Sequence, residues 1–270
     1  MGWSVVASPF GIEPVEEVYL PRAPLVRVIA QVRFPREPKL GTEDGAALLR
    51  GALAGAYPIL RDEREIRVVI TQQGAVEQPG SLLWRLQNRD ASWQVTVSDS
   101  FVALDTSAYS SREDFCSKLE DVLAAINDIA APLVYDRFGL RYIDRLTGPA
   151  LLRERLPQLV RAELLGGWAV ERPEGVQLVH SLSESLYRFD GAQLLARSGI
   201  LPPGVVLEPT VAAVDEPSWI LDIDAATTEG ADFDPAALGQ LARRLADRVY
   251  RFFRWAVAEE FLREHGGERS

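Results

Sequence analysis

The sequence predicts an α+β protein made by internal duplication of a β-α-β-β-β-α unit, with antiparallel meander sheets, helices on one face of each, and a long C-terminal helix. Three observations carry this. Period-two apolar stretches and period-3.6 stretches follow one another in the same order twice. The letters Ala131-Pro132-Leu133-Val134 repeat Ala23-Pro24-Leu25-Val26, and each opens a strand with arginines at alternate positions. WILDID at 219–224 echoes WQVTVS at 93–98, and each is followed by a variable loop and a long helix. The period is too long for a solenoid and suits a doubled domain. The expected organisation is an extended arm over 1–22, a first repeat over 23–130 and a second over 131–270.

The arm is aperiodic apart from Val18, Tyr19 and Leu20. After Pro24, LVRVIAQVRF places Val26, Val28, Ala30, Val32 and Phe34 on one face and Arg27, Gln31 and Arg33 on the other. Thr42, with an acid in the next turn, opens a helix that Pro58 ends near Tyr57. Strands are expected over 66–71, 81–87 and 93–104, with Asn88, Arg89 and Asp90 as a hairpin turn between the last two. Ser110 and Glu113 read as a capping box for a helix whose Phe115, Leu119, Val122, Leu123, Ile126 and Ile129 share a face. The second copy opens with LVYDRFGLRYIDRL at 133–146. A helix over 151–165 follows, kinked at Pro157 and closed by Gly166 and Gly167. Strands follow over 176–182 and 186–196, with Asp190-Gly191 as a turn, and then at 219–224. Asp234 as N-cap and Pro235 at the first position start the last helix. Its stripe of Leu238, Leu241, Leu245, Val249, Phe252 and Ala256 suggests roughly thirty residues, about 45 Å at 1.5 Å per residue.

Composition narrows the function. The formal net charge of -10 argues against non-specific binding to nucleic acid or an anionic membrane, which need a basic field. Cys116 is the sole cysteine, so no intrachain disulfide forms; with only His180 and His265 besides, no His/Cys cluster for zinc is expected. The N-terminus lacks a basic, then apolar, secretion signal and no run is long enough to span a membrane, so a soluble cytoplasmic protein with neither cofactor nor metal is the expectation.

Read as a strand, 133–146 puts Arg137, Gly139, Arg141, Ile143 and Arg145 on one face, and Phe138, Leu140, Tyr142, Asp144 and Leu146 on the other. Guanidinium groups stay charged, so the row Arg137, Arg141 and Arg145, with Arg33 from the first repeat, must face water, carboxylates or an anionic ligand. The bland reading pairs the row with Asp136, Asp144, Glu184 or Asp222 across the sheet. The functional reading makes it an anion-binding or acidic-partner face, and Gly139 favours this by leaving room for a ligand or backbone. Asp222 and Asp224 share a strand face; they either hold a cation with an acid from 227–232 or, as favoured, neutralise the arginines. His180 has no carboxylate to orient it as a base, and acids around Cys116 disfavour a reactive thiol. Trp84, Trp93, Trp219, Trp255, Tyr142 and Tyr187 read as core, or as a binding floor if several face the open side of the sheet.

The string Arg137, Gly139, Leu140, Arg141, Tyr142, Ile143, Asp144 and Arg145, with PLVRVIAQVRFP and RVYRFFRWAVAEEFL, resembles a sporadically distributed bacterial family of closely similar length that carries no assigned activity. In that family the position of Asp144 takes Asn or Asp. The resemblance implies a cytosolic bacterial protein and brings no substrate. The expected function is a non-enzymatic binding or accessory module that engages an acidic protein or peptide, an enzyme encoded nearby being one candidate, through Arg33, Arg137, Arg141, Tyr142 and Arg145, with Asp222 and Asp224 beside them. The alternative is an enzyme or sensor for a small anionic metabolite using the same residues. Phe252, Phe253, Trp255 and Phe261 would supply a homodimer seam.

Overall fold

The computed structural model describes residues 6–71, 74–189 and 191–267, with the backbone alone over 65–80. It is mixed α and β: a nine-stranded, largely antiparallel sheet with several helices. The strands are β1 (Leu25–Arg33), β2 (Ile59–Thr71), β3 (Gly74–Gln87), β4 (Trp93–Val97), β5 (Phe101–Thr106), β7 (Arg137–Thr147), β8 (Ser181–Phe189), β9 (Ala192–Leu201) and β10 (Ser218–Thr227). Their hydrogen-bonded order is β2-β3-β4-β5-β1-β7-β10-β9-β8, and the short β6 (Val134–Tyr135) and β11 (Ala231–Asp232) pair separately. The helices are α1 (Glu43–Leu53), α2 (Arg112–Ala130), the single-turn α3 (Leu156–Leu159), α4 (Pro235–Ala256) and α5 (Glu259–Glu264). The chain divides into two compact units, one made of 29–140 with 227–243, the other of 1–28, 141–226 and 244–270.

In the first of these, α1 packs on α2 and β3, and α2 on β5. Thr42 caps α1 as expected, its Oγ1 accepting from the Gly45 N–H at 3.1 Å. The cap of α2 is Ser111, one residue later than expected, accepting from Asp114 N–H, while Ser110 donates to the Asp114 carboxylate. Leu49, Leu86, Leu104, Phe115, Leu119 and Leu123 form the core. The single strand expected over 93–104 is two, because Ser98 Oγ accepts from the N–H groups of Ser100 and Phe101 and folds a turn there. β2 begins at Ile59, well before the expected Ile66, and pairs with β3 as far as Thr71 opposite Gly74.

In the second unit the expected helix over 151–165 is broken into a π turn (Leu151–Arg155), α3, and two 3-10 turns. Pro157 cannot donate, and Val160 leaves helical geometry to bridge Val257. The same bridge corrects the last helix. α4 begins on the Asp234 cap, Oδ1 accepting from Ala236 N–H at 2.8 Å, but stops at Ala256. Ala256 C=O accepts from Arg161 N–H at 2.9 Å and Ala258 N–H donates to Leu159 C=O at 2.8 Å, so residues 256–258 pair with 159–161 and a separate α5 follows. β8 starts at Ser181, not 176, and meets β9 at Gly191; the expected turn residue Asp190 lies outside the described residues. Gly199 is demanded by packing: a Cβ there would stand 1.9 Å from the Ser181 carbonyl oxygen.

The N-terminal arm is tied down by α4. Val18 N–H donates to Tyr250 Oη at 2.7 Å, Tyr250 donates to Glu16 C=O, and the buried Arg251 and Arg254 donate to the carbonyls of Glu13 and Glu16. Phe10 closes an aromatic cluster with Tyr187, Phe252 and Trp255. Phe252 and Phe261 are therefore core residues, not an exposed seam.

Candidate functional site

Arg141, in the middle of β7, is the hub of the arginine row. Its Nε and Nη2 form a forked pair with Asp222 of β10, at 2.7 and 2.8 Å, and its Nη1 donates to Glu208 Oε2 at 2.6 Å. Asp222 is 1% exposed and takes a third bond from Arg197 of β9 at 3.3 Å; Arg197 also donates to Glu184 of β8 at 2.6 Å. Burial acts to lower the Arg141 pKa, but the Asp222 bonds and the charges of Asp222, Glu208 and Asp224 outweigh it and hold it raised. Arg197 is raised by the same balance of burial against Glu184 and Asp222. The expected neutralisation of arginine by Asp222 thus holds for Arg141, with half-buried Asp224 acting at longer range.

A second partner of the row was not expected. Residues 204–214 form a compact loop whose ends meet, Gly204 N–H donating to Val214 C=O at 2.8 Å. Glu208 to Val211 is a β-turn, with Val211 N–H on Glu208 C=O at 3.0 Å and Pro209 second in the turn. Glu208 Oε1 accepts from Thr210 N–H and Oγ1, leaving Oε2 for Arg141. Arg27 of β1 donates to Thr210 C=O, and Arg145 of β7 to Ala212 C=O at 2.6 Å. Beneath the loop lies a small apolar cavity lined by Val26, Ile143, Ile220, Val205, Leu207 and Val211. The strand face at Arg141 and Arg145 is therefore covered, not open.

The other candidates separate from this hub. Arg33 is exposed and donates to Gln31 Oε1 at 3.0 Å, in the other unit. Arg137 belongs to that unit too, and its guanidinium lies against Gly139: a Cβ there would meet Nη1 at 2.8 Å. Gly139 makes room for a neighbouring side chain, which replaces the expected reason for it. Tyr142 is half-buried. Asp144 is buried, and burial alone pushes its carboxyl up to about 7. His180 is exposed; Cys116 is buried on α2, its thiol pushed up to about 11, chiefly by burial. Trp84, Trp93 and Trp219 are core residues. Among the described residues no group of three or more His, Cys, Asp or Glu is placed to hold a metal, and no helix is long and apolar enough to cross a membrane.

Arg27, Arg197, Glu208 and the loop were missed in the sequence. One signal was available: no residue from 198 to 242 is basic, although Glu208, Asp215, Glu216, Asp222 and Asp224 fall there. So acid-rich a stretch must find its cations elsewhere, and the arginines of β1, β7 and β9 supply them. No protein-family model matches the chain, and no curated protein does either.

Proposed function

We propose that this chain is a non-enzymatic binding module that engages an acidic segment of a protein or peptide through its arginine-bearing strand face. One observation carries the reading: Arg141, Arg27 and Arg145 converge on a single peptide segment and take from it a carboxylate and two main-chain carbonyls. That combination is how a peptide is recognised, with charge at one point and backbone geometry at two more. The reading rests on the unit that holds Arg27, Arg141 and Arg145; Arg33 and Arg137 belong to the other unit, and Tyr142 alternates onto the opposite face of β7. A cytoplasmic accessory role beside an enzyme belongs to the same reading, as does membership of the bacterial family that shares the Arg137 to Arg145 string.

The duplicated origin is part of this proposal. Outward from its centre the sheet runs β1-β5-β4-β3-β2 on one side and β7-β10-β9-β8 on the other. On each side the first strand is innermost, the last is next, and the rest follow in reverse order. That supports two copies of one unit, 23–130 and 131–270, with an added strand in the first.

Selection of random peptides displayed on phage tests the binding reading. Enriched sequences should carry an acid, and, measured on a chain with the covering 205–213 segment replaced by a Gly/Ser link, Arg145→Ala should weaken an enriched peptide about tenfold, the worth of one charge-assisted hydrogen bond. Enrichment of acid-free sequences, or binding indifferent to Arg145→Ala, contradicts it.

A further inference from the structure

We infer that the 204–214 loop is an exchangeable, in-chain occupant of the arginine face, and that a partner binds by presenting a similar turn, acid-Pro-x-apolar, as the loop lifts away. This rests on the binding reading above and specifies both its partner and its regulation.

Four features point to it. The loop is a self-closed unit, its ends joined by the Gly204–Val214 bond, so it can leave the strands without breaking the ladder between β9 and β10. Its polar attachments named above all run to the ends of long arginine side chains, from the Glu208 carboxylate and from the main-chain carbonyls of Thr210 and Ala212. The Glu208 turn is pre-formed, with Pro209 fixing its second residue and Thr210 holding the free carboxylate oxygen, so the ligand geometry is set before docking. Packing beneath it is incomplete, since a cavity remains between its valines and leucine and the strand residues.

The geometry also says which contacts are exchangeable. Asp222 is buried and shared between Arg141 and Arg197, so it is the fixed partner that keeps Arg141 extended. Glu208 takes only the remaining Nη1 position and stands on a surface loop, so a partner's carboxylate can replace it one for one. Arg141 Nη1, Arg27 and Arg145 then form the docking points, and the apolar residue after the turn fills the place of Val211.

The test uses a chain in which 205–213 are replaced by a short Gly/Ser link, which the joined ends permit, and a fluorescein-labelled peptide of sequence GVVLEPTVAAV, the loop itself. Fluorescence anisotropy should show saturable binding to the shortened chain. The parent should bind about tenfold more weakly, because a tethered loop competes at an effective concentration near millimolar against a peptide of about 100 μM affinity. A peptide carrying Glu208→Gln should lose most of that binding. Should the shortened chain fail to show a cooperative thermal transition, full-length Glu208→Gln replaces it and is expected to bind the peptide several-fold better than the parent. A folded shortened chain that ignores the peptide, equal binding by parent and opened variant, or indifference to the peptide's carboxylate overturns the inference. Phage-selected acidic peptides that bind the parent through Arg145 while the loop peptide binds nothing would sink the exchange alone. Loop-peptide binding without any acid-bearing selectant would sink the partner reading instead.

Discussion

Replacing Asp222 by Asn tests whether burial makes the Arg141 hub structural. The carboxylate accepts two bonds from Arg141 and one from Arg197 at 1% exposure, whereas the Arg141 side chain is 17% exposed. Asn supplies one acceptor and turns an NH₂ group toward a guanidinium that cannot lose its proton. Removing one member of a fully buried pair costs about 3–5 kcal/mol. Arg141 keeps Glu208 and some water, so the lower end, about 3 kcal/mol, applies. In a chain of this size that is a fall in Tm of about 6–12 °C. Differential scanning calorimetry measures it, with Arg36→Ala as the control. Arg36 pairs with Asp99 at 2.6 Å, shorter than either Arg141–Asp222 bond, yet its side chain is 76% exposed. A pair in water is worth about 0–1 kcal/mol, so Arg36→Ala should move Tm by less than about 4 °C. Because an apolar pair can replace a buried ion pair at little cost, Asp222→Leu with Arg141→Met should recover most of the loss. Equal small shifts for Asp222→Asn and Arg36→Ala would refute the reasoning.

Further outcomes follow from buried polar groups and close approaches. Burial holds the Asp144 carboxyl near 7, above its ordinary 3.8, so the folded state keeps a proton that the unfolded chain releases. Its contribution is fully present below about pH 4 and is lost as pH rises through about 7; Asp144→Asn should therefore gain on the parent over that window, by about 3–4 kcal/mol at pH 8, read from urea unfolding at several pH values. The Tyr57 hydroxyl is buried with no hydrogen-bond partner among the described residues, and burial pushes its pKa up to about 12, so Tyr57→Phe should hold or raise Tm. Gly199→Ala drives a methyl into the Ser181 carbonyl and should destabilise by at least about 2 kcal/mol, whereas Gly139→Ala displaces only the flexible end of Arg137 and should cost less than about 1 kcal/mol by the same unfolding assay.

What the sequence made legible was whatever local periodicity and capping determine. Alternation drew β1 and β7, helical spacing drew α2, the Thr42 cap drew the start of α1, which ends at Leu53 and not near Tyr57, and Thr42 and Asp234 stood at the caps where their side chains satisfy free N–H groups. The long C-terminal helix was over-read because its apolar stripe continues through Val257 and Phe261. Its break depends on main-chain pairing with 159–161, a partner remote in sequence. The arginine row was found because its spacing is local. Its cover was not, since residues 204–214 are aperiodic and their contacts with Arg27, Arg141 and Arg145 exist only after strands distant in sequence assemble. Because Arg141→Ala would strip Asp222 of its forked partner and weaken the fold, the face's binding role is better probed at Arg27 and Arg145.

The most direct measurement is a titration of an acid-bearing, phage-selected peptide against the Arg27→Ala, Arg145→Ala double variant and its parent, both with 205–213 replaced by the Gly/Ser link so that no loop competes, with thermal melts alongside. Loss of two charge-assisted hydrogen bonds predicts a Kd weakened about 100-fold at a Tm near that of the parent. An unchanged Kd would contradict the claim that these arginines form a peptide-binding face.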